Sequence, residues 1–148
     1  MKRPFTIWIL VFWLAFLAFG GFYGGITMLL DPSGKKIGMD EVLPLLPVND
    51  YTIVGVFLVV IMGLVPLFLA FGAIARPDWK WARIFSFGSS KHWAWVGALV
   101  LGIGLGVWLI IQGLMIGFRW PIQYVTAANA LFILIFTLSP PVQKYLTR

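Results

Sequence analysis

Four stretches of this chain, at about residues 5–30, 51–75, 93–118 and 122–139, contain no Asp, Glu, Lys, Arg or His. A helix needs roughly 20 apolar residues to cross a bilayer's hydrocarbon core. In hydrocarbon a backbone amide finds no partner except another backbone group, so an uncharged stretch of that length crosses as a helix. The expected fold is therefore an all-α integral membrane protein, a four-transmembrane-helix bundle in a single domain over residues 1–148. Composition agrees, with 61% apolar and only 11% charged residues, against about a quarter charged in soluble domains.

The same composition narrows the chemistry. The chain has no cysteine and one histidine, His92. Disulfides, thiol redox catalysis and thiolate metal sites need sulfur, and imidazole sites need several histidines. No metal or cofactor is expected. The net charge of +6 is placed at span ends, where it reads as topology and lipid-headgroup contact and not as a nucleic-acid surface.

Orientation follows from the basic residues. Lys2, Arg3, Arg76, Lys80, Arg83, Lys91, Lys144 and Arg148 share one side of a four-span topology, and Lys35, Lys36 and Arg119 the other. The positive-inside rule then places both termini in the cytoplasm of a cell with this protein in its plasma membrane. The first span is expected to be retained. Its apolar run greatly exceeds a signal peptide's h-region of about 7–15 residues, and no A-x-A site ends it.

Turn chemistry marks the limits of the spans. Asp31-Pro32-Ser33-Gly34 stops the first, Asn49-Asp50 precedes the second as a cap, Arg76-Pro77 closes it, and Pro121 suits the first turn of the fourth. The outer loop, 31–50, has two equally supported readings: a short surface helix opened by Asp40-Glu41-Val42-Leu43, or an irregular apolar loop over the bundle. The inner loop, 76–92, alternates aromatic and basic residues from Trp79 to Phe85, the pattern of an aromatic belt at the headgroup level.

Helix packing supplies the clearest motifs. Gly20/Gly24 and Gly21/Gly25 are G-x-x-x-G pairs, and Gly102, Gly106, Gly113 and Gly117 mark the third span. Small residues at this spacing let helices approach closely. The Gly102-x-Gly104-x-Gly106 run is not a nucleotide fingerprint, because no strand precedes it.

Polar side chains within the spans gather near the outer side. Gln112 and Asn129 are expected at one level, facing each other across antiparallel neighbours, with Tyr23 at the same depth and Gln123 and Thr126 above. Two readings stand open: interhelical hydrogen bonds, which are favoured, or an outward-facing polar pocket for a ligand. At the rim, Arg119 either pairs with Asp31 or Asp50 or contacts a lipid phosphate, the second being favoured. No span holds an ionisable group of the kind that ion-coupled transporters keep in the membrane. His92 is expected at the interface and not as a general base.

The run from Gly24 to Gly34, then Ile37-Gly38-Met39, Asp50-Tyr51 and the Trp108-x-x-x-Gln112 pair resemble a group of small uncharacterised prokaryotic four-span membrane proteins with a D-P-S-G first outer loop. The resemblance covers nearly the whole chain, implies the same topology, and carries no activity.

The functional expectation is a non-enzymatic membrane protein, an accessory subunit or a binder of lipid or another hydrophobic ligand. Its partners would be membrane lipids, other membrane subunits or further copies of itself, and no nucleic acid. The alternative is a small oligomeric carrier or channel for a neutral solute using the outer polar cluster. An enzyme built on Asp31, Asp40, Glu41 and Asp50 ranks last.

Overall fold

The computed structural model describes residues 2–148. Helix α1 (Phe5–Leu30) makes the first span. The second span joins α2 (Thr52–Val59), a π-helical segment (Val60–Leu64) and α3 (Val65–Ala75). Helices α4 (Trp93–Ile116) and α5 (Pro121–Leu138) make the third and fourth, and a short α6 (Pro140–Tyr145) follows. All four spans are long and apolar enough to cross a membrane, with mean hydropathy from 1.6 to 2.9. The third stops at Ile116, two residues short of expectation, because Gly117 turns out of the helix with φ 80°.

The four spans close a ring. α1 packs on α2, α3 and α5, while α4 packs on α3 and α5, which places α1 and α4 on a diagonal. Ile7, Leu10, Leu14 and Leu17 of α1 are buried at helical spacing and meet Leu69, Leu101, Leu105 and Ile133 in one core. The outside is as apolar as the inside: Phe5, Phe19, Leu30, Ile53 and Leu114 are among the large side chains that point outward. A helix apolar all round belongs in lipid or a large core, and this bundle is too thin for the second.

The π segment has a local cause. Pro66 lacks the N–H that an α-helix would offer to the Met62 carbonyl, and the turn before it widens. The widened turn lies against α1. A Cβ built on Gly21 would collide with the carbonyl carbon and oxygen of Met62, and one on Gly63 would meet the Phe22 ring at 2.9 Å. One turn further, a Cβ on Gly25 would lie 2.8 Å from the Gly55 carbonyl oxygen and 2.9 Å from the Val59 nitrogen. Backbone meets backbone here, so only glycine fits.

The glycine expectations are corrected in part. Gly21 and Gly25 sit in close contacts; Gly20 and Gly106 have nothing within 4 Å of a Cβ, and Gly24 is in ordinary contact with Leu58. On the third span, Gly102 lies under Leu134 and Gly113 under the Phe118 ring. Gly55, Gly72 and Gly97 are equally close-packed, against Gly25, Trp93 and Leu69. The spacing marks small residues without saying which face meets a helix, and the partner glycine on α2 has no G-x-x-x-G mate.

The 31–50 loop resolves toward the irregular reading, with two three-residue 3₁₀ turns, Lys35–Ile37 and Leu43–Leu45. Buried Tyr51 pins it: its hydroxyl donates to the Met39 carbonyl at 2.7 Å and its N–H to the Pro32 carbonyl at 2.9 Å. Asp31 accepts from the Ser33 hydroxyl (2.6 Å) and the Lys36 N–H (2.9 Å), which holds its carboxyl below the usual range. Asp50 accepts from the Thr52 N–H at 2.9 Å and starts α2.

Candidate functional site

The polar residues of the spans do not assemble into one cluster. Asn129 is buried and reaches α1, not α4. In the amide orientation that satisfies both neighbours, its nitrogen donates to the Trp13 carbonyl at 3.0 Å and its oxygen accepts from the Leu17 N–H at 3.2 Å. Trp13 and Leu17 are the two ends of one i→i+4 step, so Asn129 clasps the α1 backbone from α5. The Trp13 ring stacks on Phe132 beside it, centroids 4.6 Å apart. The expected pairing of Asn129 with Gln112 is therefore replaced by a bond to the α1 backbone, which no residue pattern signals.

Gln123 is consumed in the turn between α4 and α5. Its oxygen accepts from the Trp120 N–H at 3.1 Å and its nitrogen donates to the Gly117 carbonyl at 3.0 Å. Thr126 back-bonds to the Ile122 carbonyl at 2.8 Å. Tyr23 points outward, 67% exposed. With Phe19, Phe22, Ile26 and Thr27 it lines a shallow recess of about 280 Å³ on the lipid-facing side of α1.

Gln112 stands apart from these. It is half-buried and makes no side-chain hydrogen bond to the described residues. Trp108, Gln112 and Ile116 follow at four-residue spacing and so form one ridge of α4. Trp108 meets Phe57 of α2, ring centroids 5.1 Å apart. Otherwise α2 packs chiefly on α1.

The outer loop meets the end of α4 and the turn that follows it. Glu41, Val42, Leu45, Ile116, Arg119 and Trp120 line a cleft of about 290 Å³, near the small end of ligand pockets. Val42 is buried and anchors the loop. Arg119 and Glu41 share the cleft without pairing: among the described residues the ion pair is Arg83–Asp78, with Nε to Oδ1 at 2.9 Å. The expected partners of Arg119, Asp31 and Asp50, are both engaged in local caps. The indole N–H of Trp120 is buried without an acceptor.

The opposite face is built differently. The Phe68, Trp79, Trp81 and Trp93 rings stack with one another at 4.8–6.4 Å, beside Lys80 and Arg83. The chain end is tied in: the Lys91 ammonium donates to the Thr147 hydroxyl at 2.9 Å, and the Arg148 N–H to the Ser90 carbonyl at 2.7 Å.

His92 caps α4 on this face. The Pro77 carbonyl, 3.1 Å from Nε2, can only accept, and the Ala94 N–H, 3.2 Å from Nδ1, can only donate. The ring is thus the neutral Nε2–H tautomer. Burial pushes its pKa below 6.5, helped by Arg76 and Arg148 and opposed by the Pro77 bond and Asp78. A histidine whose folded pKa is depressed contributes stability that is present above the unfolded value and lost as pH falls below it. The melting temperature should therefore fall between pH 7.5 and pH 5.5. In His92→Asn, which keeps a capping oxygen but does not titrate, most of that fall should vanish; an equal fall would remove His92 as its source.

Taken together, four apolar helices, each long enough to cross a bilayer, packed through close glycine contacts, define an all-α, multi-pass membrane protein. Beyond that class the comparisons add no particular relative: no protein-family model, curated protein or solved structure matches the chain.

Proposed function

We propose that this chain is a non-enzymatic protein of the cytoplasmic membrane, both termini inside, that binds a lipid or similar amphiphile at the outer end of its bundle. One observation carries the reading. Asn129, Gln123 and Thr126 are spent on the protein's own backbone, while the cleft beneath the outer loop carries Arg119 and Glu41 beside apolar walls, in no ion pair among the described residues. Such a surface suits a molecule with a charged head and apolar tails. No set of nucleophile, base and oxyanion donor accompanies it, as an enzyme of the acidic loop would require. The carrier reading is left with Gln112 alone of its central polar pair, since Asn129 bonds to the α1 backbone. The eight basic residues on the terminal face support the orientation. Kinship with the small prokaryotic four-span group belongs to the same reading, because the D-P-S-G turn is closed by Asp31 as its sequence suggests.

Native mass spectrometry from mild detergent should show the protein retaining about one lipid per chain. A bare chain under conditions that keep it folded would end this reading.

A further inference from the structure

We propose that the inner loop is a membrane anchor whose 3₁₀ helix, Trp81–Ser86, lies flat in the leaflet on the terminal side. Trp81, Ile84 and Phe87 enter the acyl chains, and Lys80 and Arg83 face the lipid phosphates. The occupant of this face is the bilayer itself. The inference stands apart from any lipid held at the outer end.

Alternation along the sequence groups Trp79, Trp81 and Phe85 together. The structure groups the loop differently. A 3₁₀ helix has about three residues per turn, so side chains three apart eclipse one another. Trp81, Ile84 and Phe87 therefore form one row, and they are 59%, 74% and 78% exposed. Lys80 and Arg83 form the row beside it, both exposed, with the Arg83 Nε 2.9 Å from Asp78 Oδ1. Ala82 and Ser86 are buried beneath. An apolar row beside a basic row is the pattern of a helix lying in a membrane surface.

What covers the apolar row follows from where it starts. Phe68 and Phe71 lie on the exposed face of α3. The Trp79 ring stacks on both, at 5.9 and 6.0 Å, and the Trp81 ring stacks on Phe68 at 6.4 Å. Phe68 stands about 10 Å back along the span from its end at Ala75. The loop thus folds back against the span, and its apolar row continues the surface that the second span presents to lipid. A cytoplasmic protein seated on this row would have to displace lipid from Phe68 and Phe71 beside it.

Phe87 adds backbone strain. Its φ is 48°, an outlier for a bulky side chain, and Gly88 follows at 74°. This left-handed turn ends the helix and leaves the Phe87 ring largely uncovered by protein. Burial of the ring among acyl chains offsets the strain.

The chain has no cysteine, so a single introduced thiol carries the only label. Ile84→Cys, Phe87→Cys and Lys144→Cys, each in the full chain, are spin-labelled and reconstituted in liposomes of phosphatidylcholine and phosphatidylglycerol. Lys144 is the exposed control at the terminal side. Electron paramagnetic resonance then reads collisions with oxygen, which enters hydrocarbon, and with a polar nickel chelate, which does not. The oxygen-to-nickel accessibility ratio at 84 and at 87 should exceed that at 144 about tenfold, the scale of excluding one polar group from hydrocarbon. Both test positions are exposed, so the variants should fold, and unchanged circular dichroism checks this. High nickel access at 84 and 87 puts the row in water and overturns the proposal. Low access to both reagents means that a second copy covers the row, and overturns lipid as its occupant. Neither result bears on lipid retention at the outer end.

Discussion

Gly25→Leu should cost the bundle about 3 kcal/mol or more, the upper range for overpacking a close-packed site. The new side chain would start 2.8 Å from the Gly55 carbonyl oxygen and 2.9 Å from the Val59 nitrogen. Both are backbone atoms, so no rotamer change relieves the clash, and α1 and α2 must separate. Separation also undoes the seat of the π segment on Gly21, one turn along the same interface. Gly20→Leu makes the matched control: nothing lies within 4 Å of its Cβ, and its effect should stay within about 0.5 kcal/mol. Unfolding in mixed micelles, followed by circular dichroism, measures both. Equal stabilities for the two variants would mean that α1 and α2 do not touch along Gly25.

Asn129→Asp should be the most damaging change among the polar residues. The buried amide both donates to the Trp13 carbonyl and accepts from the Leu17 N–H. A carboxylate can only accept, so it would face the Trp13 carbonyl with like polarity inside hydrocarbon. The cost should be about 3 kcal/mol, the scale for Asp at the centre of a membrane helix. Asn129→Leu should cost only about 1 kcal/mol, because Trp13 and Leu17 retain each other as an i→i+4 pair. The order of the two variants is the informative result. A harmless Asn129→Asp would place the amide in a wet cavity and reopen the polar-pocket reading. The same unfolding titration serves.

The spans were legible because an uncharged apolar run leaves its backbone one way to satisfy itself; the residue limits moved by only a few positions. The turn residues were legible too, since Asp31 and Asp50 cap locally and Pro121 opens a helix wherever it stands. The candidate cluster was not. Depth along a helix can be counted at about 1.5 Å per residue, but azimuth cannot, and azimuth sent Tyr23 outward, Asn129 to α1 and Gly20 away from every neighbour. That Arg119 and Glu41 line one cleft lies further from view, because it depends on how a loop with two 3₁₀ turns settles over the bundle.

The amino-acid order by itself determined that this chain spans a membrane four times, where each span begins and ends to within a few residues, and which chemistries it lacks the side chains to perform. Only the tertiary structure decided which glycines touch, which amides are already spent, and where a charged cleft opens above apolar walls. The reason is that solvent sorts residues one at a time, from polarity alone, whereas contacts between spans depend on the rotation of each helix about its own axis, and lipid does not distinguish one apolar face from another.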